Sequence, residues 1–435
     1  MSRRDSIFVG GPKEVGPAWP VVIYWLMSIA QYSFRYILRV NDTHTSGLSY
    51  SDTPWYLSGI KHVITAGFLA YCIGRMIRRR MRVQHQFDIL SWLCSFSFVV
   101  GVLILGVKLA SRDGVSYETF QAWLQTWPYL IIPLVLPACM RPSQAVPTLK
   151  AFNLAAFIVT TLFWAATVYL YYAEGRYPAV SLPGQVRFGG ILDDPNGYAA
   201  LLALIIVLTI ALKGKLWRSR LAICIVISLM TRSLAGLVVV VVTLAAVAIQ
   251  KILQSKGLSM AVAIKVIAVL LGVVIALCVP TVQNALDAFL SEVNNTLQFK
   301  QKSIDLHLSD LTSPPDLGVN ADVVDWVVGT SGVSENFYSW ILINFGILGS
   351  FSYLGCVMAA IAVLANRPGI SQYMLAWAAG IIVGSAGIPY FRDFPINLLF
   401  WSAISVVTQG ASVGAASRAL RHAIGYRIPM TNYVR

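Results

Sequence analysis

Charge is scarce in this chain, at 12% of residues against 57% that are hydrophobic, and acidic charge is the scarcer kind, with 19 Asp and Glu beside 33 Lys and Arg. A soluble domain carries about twice that share of charge, so water is excluded as the main solvent. Several chemical signatures are missing as well. The six cysteines form no CxxC pair, which argues against a zinc site and a disulfide framework, and they read as small core hydrophobes. The five histidines show no ligand spacing, and GxSxG, HExxH and Walker loops are all lacking. Soluble-hydrolase and nucleotide-driven classes therefore lose support, and neither a metal nor a cofactor is expected. No short repeat divides the chain, and no two halves with matching interrupted helices mark it as an inverted-repeat transporter. A cleavable signal peptide is not expected, because the first apolar stretch starts late and runs to full span length.

What the chain has is apolar runs along almost its whole length. In hydrocarbon a helix satisfies its own backbone, and about 20 residues suffice to cross. The expected fold is thus all-α: a single polytopic membrane domain over residues 1–435 with about twelve transmembrane helices. They fall near 19–36, 55–74, 87–109, 122–139, 151–172, 197–212, 221–231, 237–250, 259–280, 337–364, 372–388 and 395–408.

Charge then orders the loops. The tails and alternate loops at 1–18, 75–86, 140–150, 213–220, 251–257, 365–371 and after 408 hold 21 of the 33 basic residues. Counting Asp88 at the edge of one of them, they hold 3 of the 19 acidic ones. Short basic loops stay in the cytoplasm, so both termini are expected there. The same dispersal of basic residues over many short segments excludes a nucleic-acid face, despite a pI near 9.6.

On the opposite side one loop, 281–336, is long and polar enough to fold outside the bilayer. Within it, Val282, Leu286, Phe289, Leu290, Val293 and Leu297 recur at helical spacing, which predicts an amphipathic helix over about 282–304 lying on the membrane or capping a cavity. Pro314 and Pro315 end any helix beyond it.

Three outward segments carry candidate chemistry. The first, Arg187 to Asn196, ends in Asp194-Pro195-Asn196. Those residues start a helix, whose free N–H groups attract anions, and Arg187 adds a bidentate donor for phosphate. A plain cap with a loop arginine fits the same residues. The second runs from Ser334 to Gly349. Glu335 there is either an interfacial base, with Tyr338 one turn on and sharing its face, or a helix cap. The third, Thr231 to Gly236, places Arg232 where only a cavity or an anion offsets its cost. Among the remaining outward cations, including Lys61 and Lys108, most read as interface snorkellers. Arg392, in the tight loop Tyr390-Phe-Arg-Asp-Phe394, is the exception kept as a site candidate. Trp326, Phe337, Tyr338 and Trp340 near the loop base fit either sugar stacking or an interfacial aromatic belt.

In this order and topology the segments resemble the superfamily of O-antigen ligases and Wzy-type polymerases, bacterial envelope glycosyltransferases. The marks are Arg187 with Gly190 and Asp194-Pro195-Asn196, the Thr231/Ser233/Gly236 turn, and Glu335-Asn336 with nine residues separating Asn336 from Gly346-x-x-Gly349. The resemblance implies a GT-C-like fold in the bacterial inner membrane and undecaprenyl-diphosphate-linked oligosaccharides as donor and acceptor on the periplasmic face. It implies no nucleotide sugar, and chain-length regulator and export proteins as partners beside membrane lipid. Ligases usually carry His before the Asn; here that place is Glu335, a departure towards polymerases of exopolysaccharide or O-antigen repeats. On this reading Arg187, Arg232 and Arg392 hold the diphosphate, Glu335 with Asn336 and Tyr338 handles the acceptor hydroxyl, and Asp194 and Asn196 shape the substrate loop. Two rivals stand beside it: a ligase passing glycan to a lipid A core, and a lipid-linked oligosaccharide flippase or transporter.

Overall fold

The computed structural model describes residues 15–31, 55–78, 89–110, 117–174, 180–182, 185–192, 194–254, 336–367 and 369–409. The expected span near 259–280, the amphipathic helix over 282–304 and nearly all of the 281–336 loop lie outside the described residues.

The chain is a helical membrane protein. Among the described residues its helices are α1 (Trp19–Ala30), α2 (Trp55–Arg78), α3 (Ile89–Ala110), α4 (Tyr117–Thr126), α5 (Ala145–Glu174), α6 (Pro195–Leu212), α7 (Trp217–Met230), α8 (Leu234–Gln254), α9 (Phe337–Ala365), α10 (Ile370–Gly384) and α11 (Ile396–Gln409). Among the described residues six stretches are long and apolar enough to cross a membrane: five within α2, α3, α6, α8 and α9, and one, Pro142–Glu174, made of α5 and the turn before it; α1, α10 and α11 are shorter apolar helices. A two-stranded hairpin, β1 (Val180–Leu182) and β2 (Gln185–Arg187), precedes α6.

Helix α6 lies at the centre. Its residues are apolar on every side and almost all are buried, as expected of a helix surrounded by others. It packs against α5, α7, α8 and α10. Without a hydrophobic force between helices in lipid, close association needs small residues at the crossings. Gly236 of α8 meets Ala199 of α6 so closely that a methyl group there would collide. Gly380 of α10 sits in the same way against Thr243 and the Val239 carbonyl.

Elsewhere α3 shows the opposite of a soluble helix. Cys94, Ser97, Gly101 and Ile104 face inward, while Trp92, Phe96, Val99 and Leu103 are exposed as an apolar stripe for lipid.

Two expectations change. The stretch 122–139 is not one regular α-helix. It breaks into the end of α4, a 3-10 segment Trp127–Ile131, a single helical turn Ile132–Val135 and a second 3-10 segment Leu136–Ala138. Pro128, Pro133 and Pro137 lack the N–H groups a continuous helix needs. Lys108 is not a snorkeller. It is buried near the end of α3 and donates to the Asn344 carbonyl at 2.6 Å, with its ammonium 5.9 Å from the Phe345 ring centre. That carbonyl lies just before Gly346, which breaks the helical path of α9 with φ 61° and ψ −167°. A kink exposes backbone oxygens inside an apolar bundle, and the lysine supplies a donor there.

Candidate functional site

The segment leading to α6 turns on Gly190, whose φ of 54° is left-handed and whose missing side chain leaves room for the Tyr198 ring. Asp194 then caps α6. Its carboxylate accepts from the Asn196 N–H at 3.0 Å and the Gly197 N–H at 2.8 Å, and burial holds it above the usual carboxylate range against those bonds. Of the two readings of Asp194, the cap is the one observed.

Asn196 reaches further. Its side-chain oxygen accepts from the Ser233 hydroxyl at 2.5 Å, and Ser233 in turn accepts from the Gly236 N–H at 2.9 Å, capping α8. Thr231 completes this turn, donating to the Ser228 carbonyl at 2.7 Å. Arg232 sits between them with a left-handed φ of 48° and an exposed side chain. Among the described residues that side chain makes no hydrogen bond or ion pair.

Asn336 caps α9, accepting from the Tyr338 N–H at 2.8 Å. The Tyr338 hydroxyl donates to the Ile382 carbonyl at 2.7 Å, and the Phe337 N–H donates to Ser385 at 3.0 Å. Both residues thus fasten the start of α9 to the end of α10. Phe337 and Trp340 are not sugar platforms. They are buried, within a cluster that includes Phe345, Tyr353 and Phe391. Glu335 and Trp326 lie outside the described residues. Arg187 closes β2 opposite Val180, and its side chain lies outside what is described.

The loop between α10 and α11 joins these parts. Tyr390 donates to the Asn196 carbonyl at 3.5 Å, and its ring packs against Gly384. Arg392 places its guanidinium 5.5 Å from the Trp340 ring centre and its Nε 3.7 Å from Asp393. Both side chains remain near 30% exposed. The starts of α6, α8 and α9 and the 385–395 loop therefore meet at one end of the bundle.

Asp393 was missed by sequence reasoning, which kept only its neighbour. Burial pushes its carboxyl up to about 7, with Asp194 raising it further and Arg392 and Lys61 offsetting part of the rise. The adjacent Arg-Asp pair is visible in the sequence; the surrounding protein that raises the carboxyl is not. Among the described residues, no three His, Cys, Asp or Glu side chains gather in a way that would hold a metal ion.

Such a site can bind an anion at a partly exposed guanidinium, close to a carboxyl whose ionisation is raised towards neutrality. Compared with known proteins, the chain matches no family model and no curated protein.

Proposed function

We propose that the chain is a membrane glycosyltransferase that joins polyprenyl-diphosphate-linked oligosaccharide repeats into a polysaccharide, as a GT-C-like protein of about twelve spans in the bacterial inner membrane. Its site faces the periplasm and both termini face the cytoplasm. One observation supports this reading above others: segments 194–196, 231–233 and 336–340, far apart in sequence, are joined at one end of the helices, Asn196 to Ser233 and to Tyr390, Phe337 to Ser385 and Trp340 to Arg392.

In this reading the acceptor hydroxyl oxygen attacks the anomeric carbon of the donor's first sugar. The bond from that carbon to the diphosphate breaks, the configuration inverts, and the polyprenyl diphosphate leaves. Arg187, Arg232 and Arg392 stabilise its charge, and Glu335 takes the hydroxyl proton. Asp194, Asn196, Asn336 and Tyr338 hold the segments that carry these groups.

Deletion of the gene tests the class of reaction. Single lipid-linked repeats should accumulate with no polymer. Polymer that forms but stays on its lipid carrier would identify a ligase instead, and unchanged glycans would dismiss both.

A further inference from the structure

We propose that Asp393 is the resident counter-ion of Arg392, a carboxylate that holds the guanidinium while the site is empty and yields it, on taking up a proton, to a diphosphate. The inference rests on the reading of Arg392 as a diphosphate ligand and adds to it a gate within the same loop.

Three features of the geometry carry it. The Arg392–Asp393 pair is loose, at 3.7 Å to Nε, which leaves the outer edge of the guanidinium without a partner among the described residues. Trp340, buried beneath that guanidinium at 5.5 Å, gives the planar cation a surface to rest on while its edge changes partners. The loop itself is held in place, by Tyr390 on Asn196 and by the Asn397 N–H donating to the Asp393 carbonyl at 3.0 Å, so exchange requires no backbone movement.

The charges around Asp393 set the direction of the effect. Arg392 from its own loop and Lys61 from α2 favour the carboxylate, while Asp194 at the start of α6 opposes it, and burial outweighs them all. Burial keeps Tyr390, on the same loop, a neutral phenol, and Asp194 and Asp393 act in the same direction. A diphosphate arriving at Arg392 adds negative charge and favours the neutral carboxyl. Binding therefore draws in a proton and weakens as the pH passes 7.

The test is calorimetric titration of the full chain in zwitterionic nanodiscs with inorganic diphosphate and with farnesyl diphosphate, at pH 6.5 and pH 8. The wild type should lose about eightfold more affinity across that interval than Asp393→Asn, whose remaining slope reports the ligand's own ionisation. Asp393→Glu should restore the wild-type slope. The expected difference with farnesyl diphosphate alone would assign the site to a lipid-linked donor. With both ligands it would assign the site to the diphosphate group itself. Equal slopes in wild type and Asp393→Asn, with Arg392→Ala binding weakly, would overturn the gate and leave the diphosphate reading standing. Wild-type binding no tighter than that of Arg392→Ala would overturn both.

Discussion

The hydroxyl of Ser233 donates to the side-chain oxygen of Asn196 across 2.5 Å, joining the cap of α8 to the first turn of α6, 37 residues apart in sequence. Ser233 also caps α8 through the Gly236 N–H. Ser233→Ala therefore removes two interactions at once and leaves Asn196 with an unmatched acceptor. The expected cost is about 1–3 kcal/mol, read as a lower melting temperature in detergent, with Ser233→Thr retaining most of the stability. An unchanged melting temperature in Ser233→Ala would show that the bond is incidental.

Gly346 interrupts α9 with backbone angles open almost only to glycine. Gly346→Ala should destabilise the chain by about 1–3 kcal/mol. Lys108→Met, which leaves the Asn344 carbonyl without its ammonium donor, should cost a similar amount, about 1–3 kcal/mol. The two changes act on one kink, so the double variant should lose less than the sum of the singles. Strict additivity in thermal melts would separate the lysine from the break.

Asp393 gives stability a pH signature. Its carboxyl ionises near 7 in the folded chain and near about 3.9 unfolded. Between those values the folded state holds a proton that the unfolded state has released. The group's contribution thus declines as pH rises from about 4 to 7 and is lost above that. Asp393→Asn should therefore gain in melting temperature relative to wild type on going from pH 5 to pH 8. A constant offset at both values would count against the raised ionisation.

Much of the fold is legible because lipid imposes a simple pattern. Residues 197–212 read as a span and form most of α6, and Asp194-Pro195 announces its cap, since an acceptor before a proline suits the first turn. Residues 395–408 read as a span and nearly coincide with α11. The irregularity of 122–139 is invisible to hydropathy, which sums apolar character, whereas Pro128, Pro133 and Pro137 are apolar while denying a regular α-helix its donors.

The site is less legible, for a different reason. That Asn196 meets Ser233, or that Arg392 lies over Trp340, depends on how α6, α8, α9 and the 385–395 loop come together, and no local pattern encodes a contact between distant segments. Asp393 shows the same gap: its residue type was visible, but the burial that raises its carboxyl comes from the assembled bundle. Lys108 reads as an end-of-helix cation because the carbonyl it serves, at Asn344 beside the Gly346 kink, lies 236 residues away.

The packing of α8 against its neighbours sets how tightly the site is framed. Gly380→Leu would drive a side chain into Thr243 and the Val239 carbonyl, where backbone cannot yield. It should abolish stable expression, since overpacking commonly costs about 1–3 kcal/mol even where side chains can move. Gly355→Leu, at a position with nothing near the added side chain, is the control and should express normally. Equal expression of the two would refute the close α8–α10 contact.

On the proposed function, the joined starts of α6, α8 and α9 and the loop carrying Arg392 perform glycosyl transfer from a lipid diphosphate. The most direct measurement supplies purified chain, in nanodiscs, with lipid-linked repeat units and follows their length, comparing wild type with Arg392→Ala. The wild type should give a ladder of lengthened glycans and free polyprenyl diphosphate, and a folded Arg392→Ala neither. Repeats that stay single with folded wild-type protein, or equal ladders from both proteins, would contradict that function.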